Sequence, residues 1–290
     1  MKYLIAAALA SCASGALSAP MEVKLCTGSE SGVYYPAGKI IADMAKGSKE
    51  IAVTVLETGG TWDNMGLMLG GDCQAMIGQP DGPAYLARTK PADAKRIRQI
   101  SDLHREYLHV LCSKESGVDD LADLSGDPTS YSLAVGNTGS GSWLLYENIG
   151  TEDESYQLIP ATTESGLIAL SAVASDAVTC MLYPAGLGSG FIAEADANFG
   201  DSVTLAEATD KDFNDAKDIR GKPLYEWATI PSKTYPNHFQ SGMFSGVDTI
   251  SWLAGVYVDA EAFNANPKAL SDFIRAVSRA RPAIRSQYGE

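Results

Sequence analysis

The chain has 290 residues, of which 45% are hydrophobic and 8% aromatic, and it carries 22 Lys and Arg against 36 Asp and Glu. That length suits one large domain or two lobes of roughly 100–150 residues, and a net charge of −14 lacks the clustered cations that a nucleic-acid backbone demands. No stretch reaches the roughly 18 consecutive apolar residues needed to span a bilayer.

Residues 1–19 read as a secretory leader: the cation Lys2, an apolar run over Leu4–Ala10, then small residues to Ala19. Leu9-Ala10-Ser11-Cys12 resembles a lipoprotein box, but the short apolar run before it argues against a lipid anchor at Cys12. Export permits disulfides. Cys26, Cys73, Cys112 and Cys180 lie in apolar strand-like contexts and match no metal or redox spacing, so they are expected to be buried free thiols; pairings cannot be deduced from sequence.

Beyond the leader the predicted elements alternate. A strand over Glu22–Cys26 ends in Thr27-Gly28-Ser29-Glu30-Ser31-Gly32, and apolar residues at 37, 40, 41, 44 and 45 then repeat with a helical period. A β-branched strand over Ile51–Leu56 leads through Gly59-Gly60 to a helix capped by Thr61. A strand over Gln74–Gly78 leads through Gln79-Pro80-Asp81 to a short helix around Tyr85. Strands are expected over Ile97–Leu103 and Tyr107–Cys112. The unit then recurs as strand Ser132–Val135, loop Gly136–Ser142 and helix Trp143–Ile149. A helix over Glu164–Ala174, strands over Ala177–Tyr183 and Ser251–Val258, and an amphipathic closing helix over Pro267–Ala280 complete the pattern. Alternating strands and helices imply an α/β fold with mostly parallel sheets and helices on both faces, with ligands at the carboxyl ends of the strands.

The loops between these elements carry the candidate chemistry. Gly- and Ser-rich turns before helices present unpaired amides with a partial positive charge, and hydroxyls add donors. Ser29, Ser31 and Gly32, then Gly60 and Thr61, then Gly139, Ser140, Gly141 and Ser142 fit that description. Tyr34, Tyr35 and Trp62 are placed to wall a ligand. Enzyme templates fail: there is no G-x-S-x-G elbow, no P-loop and no dinucleotide fingerprint. His104, His109 and His238 are too scattered for a metal site, so no catalytic residue, metal or cofactor is assigned.

Thr27–Pro36, Thr58-Gly59-Gly60-Thr61-Trp62-Asp63-Asn64, Gln79-Pro80-Asp81, Val135–Ser142 and Ile230-Pro231-Ser232-Lys233-Thr234-Tyr235-Pro236, in this order, resemble the TAXI family, the extracytoplasmic solute-binding proteins of TRAP transporters. Thr61, Ser142-Trp143 and Pro80 depart from the family pattern while keeping a hydroxyl or the flanking Gln79 and Asp81. The resemblance implies a type II periplasmic-binding-protein fold, with two crossing hinge strands between lobe 1 (20–107 plus 245–290) and lobe 2 (108–244). It implies a periplasmic protein that hands a small carboxylate, such as a glutamate-like amino acid or a 2-oxoacid, to a polytopic membrane transporter. Gln79, Asp81, Asn137 and Tyr183 complete the expected ligand-binding set. A sensor-kinase partner and an exported hydrolase are the alternatives. No nucleic acid and no membrane insertion of the mature chain are expected. From Glu115 to Asp210 there are 16 Asp and Glu and no Lys or Arg, so the second lobe must hold an anion with amides and hydroxyls, which favours a zwitterion over a dianion.

Overall fold

A computed structural model describes residues 19–30, 32–243 and 245–289. The leader expected over 1–19 lies, apart from Ala19, outside the described residues, as does Ser31.

Three strand–helix units open the chain: β1 (Met21–Cys26) and α1 (Tyr34–Ala45), β2 (Ile51–Leu56) and α2 (Thr61–Gly70), β3 (Ala75–Gly78) and α3 (Asp81–Thr89). The helix α4 (Pro91–Ala94) leads into the long strand β4 (Ile97–Ser113). Next come α5 (Ala122–Gly126), β5 (Leu133–Ala134), α6 (Gly141–Glu152), β6 (Ala161–Thr162), α7 (Gly166–Ala174), β7 (Cys180–Ala185), α8 (Gly190–Asn198), β8 (Val203–Ala206) and β9 (Glu226–Ile230). The second long strand, β10 (Val247–Asp259), is followed by α9 (Ala260–Asn264) and α10 (Pro267–Tyr288).

The strands form one sheet in the order β2-β1-β3-β10-β4-β7-β5-β6, with β8 on β4 and β9 on β10. Within β2-β1-β3 and within β7-β5-β6 the pairing is parallel. The long strands β4 and β10 pair antiparallel with each other and with their neighbours. The sheet as a whole is therefore mixed rather than mostly parallel. One end of β4 pairs with β10, and the other end, from Tyr107 to Cys112, pairs with β7.

Each end of the sheet has its own apolar core. Val23, Leu25, Ile41, Ile77, Val256, Phe273 and Val277 pack together at the β2-β1-β3 end. Leu133, Leu145, Ile149, Tyr156, Leu182 and Phe213 pack at the β7-β5-β6 end. Fully burying one such side chain is worth about 1.5–3 kcal/mol, so each half is stabilised largely from within. α1 buries Ala37, Ile41 and Ala45, and α10 buries Ala269, Phe273, Ala276, Val277, Ala280 and Ile284, each set repeating at three or four residues along one helix face.

Several expectations are corrected. Ile97–Leu103 and Tyr107–Cys112 are one 17-residue strand, because His104 and Glu106, which look like a polar break, are buried and continue the pleat. The strands expected over 177–183 and 251–258 run over Cys180–Ala185 and Val247–Asp259. Cys26 pairs with Cys73 and Cys112 with Cys180, overturning the expectation of free thiols. The register explains the second bridge, since Cys112 stands directly opposite Cys180 across β4 and β7.

Candidate functional site

Five helices of nine residues or more begin at one cleft of about 970 Å³. α1 and α2 approach from the β2-β1-β3 end, and α6, α7 and α8 from the β7-β5-β6 end. Each presents a Gly- or Ser-containing turn: Gly32, Gly60, Ser140-Gly141, Ser165-Gly166 and Ser189-Gly190 all line the cleft.

Local hydrogen bonds hold these turns in place. Asn64 Nδ2 donates to the carbonyls of Thr27 (2.6 Å) and Ile77 (2.9 Å), tying α2 to β1 and β3. Thr61 Oγ1 accepts from the Gln79 amide at 3.0 Å. On the other side Ser140 Oγ caps α6 by accepting from Trp143 N at 3.2 Å, and Ser142 Oγ donates to the Leu182 carbonyl at 2.9 Å. A Cβ at Gly141 would lie 2.1 Å from Gln79 Oε1, so the absence of a side chain there lets Gln79 reach across the cleft. Gln79 is 5% exposed and its Nε2 has no hydrogen-bond partner.

Glu106 lines the cleft from β4 while only 7% exposed. Its Oε2 accepts from Trp252 Nε1 at 2.9 Å and from the Tyr34 hydroxyl at 3.1 Å. Its Oε1 lies 3.5 Å from Nε2 of the fully buried His104. Burial, and then the Glu106 charge, push the Tyr34 phenol well above its ordinary pKa, and burial raises Tyr183 as well. Both phenols therefore stay protonated near neutral pH, and Tyr34 donates to Glu106. Tyr183 stacks on Phe191 with centroids 4.3 Å apart and forms one wall.

Of the residues expected from sequence, Ser29, Gly32, Tyr34, Gly60, Thr61, Gln79, Ser140, Gly141, Ser142 and Tyr183 line this one cleft. The remaining described candidates stand elsewhere. Tyr35 lies outside the lining, with Lys39 Nζ 5.6 Å from its ring centroid. Asn137 is exposed and its Nδ2 donates to Ser165 Oγ at 3.2 Å. Gly139 has a positive φ of 85°, and a Cβ there would lie 2.8 Å from Trp62 Cδ1, so it serves as the seat of an indole. Trp62 does not wall the cleft; with Tyr85 and Trp143 it forms an aromatic trio, with centroids 5.2–6.2 Å apart.

Asp81 is wholly buried behind the cleft. Its Oδ1 accepts from the Tyr225 hydroxyl, and its carbonyl accepts from Asn148 Nδ2 at 3.2 Å, so it links α3 to the opposite half. Burial raises its carboxyl to about 7, against the lowering effect of the Tyr225 hydrogen bond.

Glu106, Ser165, Gly166, Ser189, Gly190, Gln287 and Tyr288 were not expected at the site. Gly188-Ser189-Gly190 repeats the composition of the other loops, a signal present in the sequence; Glu106 and the end of α10 carry no such mark. Among the described residues no histidine lines the cleft, so its serine and threonine hydroxyls have no imidazole to activate them. The arrangement offers amides, hydroxyls and carboxylates to a small polar molecule.

A family model described as the NMT1-like family matches residues 25–263. The periplasmic aliphatic sulphonate binding protein of Escherichia coli superposes with a TM-score of 0.55 at 14% identity, over 93% of this chain and 75% of that one. A TRAP periplasmic solute binding protein from Desulfovibrio desulfuricans with bound sn-glycerol-3-phosphate gives 0.51 at 11% identity, over 92% and 79%. A protein from Bordetella bronchiseptica gives 0.52 at 16% identity, over 89% and 70%. The shared feature is the fold, that of periplasmic solute-binding proteins. No helix among the described residues is long and apolar enough to cross a membrane.

Proposed function

This chain belongs to the NMT1-like family, and from that premise we propose that it is the extracytoplasmic solute-binding component of a TRAP-type transporter, of the TAXI kind. The ligand is a small carboxylate, an amino acid or a 2-oxoacid, held between lobe 1 (20–107 plus 245–290) and lobe 2 (108–244). One observation carries the reading: helix N-termini from both halves open onto a single cleft. Such termini are ready-made anion sites, because their first amides lack intrahelical partners and the helix dipole adds partial positive charge.

Binding rather than turnover is supported by the lining among the described residues, where no histidine stands beside the serine and threonine hydroxyls. The long strands β4 and β10 supply the hinge, and rotation about them encloses the ligand. The closed form is then delivered to a polytopic partner in the inner membrane, with residues 1–19 serving as the export leader.

The test is a calorimetric and thermal-shift screen of the purified protein against small carboxylates. A ligand at about 100 times its Kd should add about 2.7 kcal/mol of stability with one-to-one stoichiometry. Failure of every small carboxylate to bind, or steady conversion of one into product, would replace this reading with the hydrolase or another alternative.

A further inference from the structure

The cleft contains three carboxylates, Glu106, Glu164 and Glu194, and among the described residues no Lys or Arg. The cation nearest along the chain is turned away: strand alternation places Arg105 on the face opposite Glu106, where Nη1 donates to Glu226 (2.9 Å) and Ser251 (2.7 Å). Glu164 and Glu194 are exposed, whereas Glu106 is buried and reaches the cleft from its floor.

Five helix ends of roughly half a positive charge each about offset three carboxylates. Such a cleft is close to neutral overall but strongly divided, with amides on both walls and an anion beneath them. A ligand that matches it is itself divided and carries no surplus negative charge. At an effective dielectric constant near 20, a second carboxylate held about 6 Å from Glu106 would be disfavoured by about a hundredfold.

Resting on the solute-binding reading above, we propose that the ligand carries one carboxylate, an ammonium group and no second anion, and that Glu106 receives the ammonium. Its two neutral donors, Trp252 Nε1 and Tyr34 Oη, both end on Oε2 and fix the carboxylate in orientation without cancelling its charge. The buried, unpartnered Gln79 Nε2 is a donor for the carboxylate end. The other Glu106 oxygen, Oε1, lies 3.5 Å from Nε2 of His104, neither of whose ring nitrogens is hydrogen-bonded. This ligand class excludes glutamate and 2-oxoglutarate, the kinds of ligand that the TAXI resemblance implies.

The experiment is isothermal titration of the purified protein with L-glutamine, L-arginine, L-glutamate and 2-oxoglutarate, repeated on Glu106→Gln after its circular dichroism is checked. The expected result is binding of glutamine or arginine at least tenfold tighter than either dianion-bearing compound, with a loss of at least tenfold in Glu106→Gln. Preferred binding of glutamate or 2-oxoglutarate by the wild-type protein overturns the inference and leaves the solute-binding reading standing; this arm needs no variant to fold. Undiminished affinity in a folded Glu106→Gln overturns the role of Glu106. Silence from all four compounds overturns this inference, whereas the small-carboxylate reading falls only if the wider screen above is silent as well.

Discussion

At position 141 the only space for a side chain is already taken by Gln79 Oε1, 2.1 Å from where a Cβ would sit. In Gly141→Ala the Gln79 amide must swing away, and ligand affinity should fall by about tenfold, while melting changes little because the displaced group is the end of a flexible side chain; calorimetry beside a thermal melt checks both. Gln79→Ala removes one hydrogen bond to the ligand's carboxylate, worth about 1.5–3 kcal/mol or roughly a ten- to hundredfold loss, with an unchanged far-UV spectrum. Asp81 makes a different prediction. Its carboxyl is raised to about 7 by burial, so the folded chain holds a proton that the unfolded chain releases near pH 4. That contribution to stability is complete below about pH 4 and is lost as the pH rises through about 7, amounting to about 2 kcal/mol between pH 5 and pH 7. Asp81→Asn should abolish this slope, read as a smaller melting-temperature difference between pH 5 and pH 8 than in the wild type. Gln79 and Gly141 were legible as parts of polar, Gly-containing loops after strands. Glu106 was not, because His104-Arg105-Glu106 looks like a gap between two apolar runs until a buried partner such as Trp252 Nε1 is known.

At the level of elements, the first three strand–loop–helix units and α6 were legible because apolar spacing, helix starts and glycine turns agreed there. β9 was not: it is mostly exposed, from Glu226 to Thr229, so it lacks the alternation that marks a strand with one buried face. β5 and β6 span two residues each, too few to show a period. The cysteines failed for a related reason. Which of them meet depends on strand order, and strand order is not local information. Cys112–Cys180 closes a separation of 68 residues and Cys26–Cys73 one of 47. By chain entropy each restricts the unfolded state by about 4 kcal/mol. The double variant Cys112→Ala/Cys180→Ala should therefore lose about 2–4 kcal/mol in denaturant titration, as should the wild-type protein after reduction of that bridge.

Across the whole molecule, separate cores lie at the two ends of the sheet, and β4 and β10 run between them. Repeated glycine loops in two stretches of sequence suggested a pair of facing halves. What they did not foretell is how the halves meet outside the cleft, where Asp81 joins Tyr225 and Gly139 seats Trp62. Trp62 and Trp143 approach within 6.2 Å of each other across that seam, with Tyr85 between them. Two indoles packed from opposite sides form an intrinsic optical gauge: rotation of one half relative to the other alters their mutual quenching and their exposure to solvent. Adding a bound solute should shift tryptophan emission in step with the calorimetric isotherm, and Trp143→Phe should flatten that signal while sparing affinity, so the protein can report its own opening and closing without a dye.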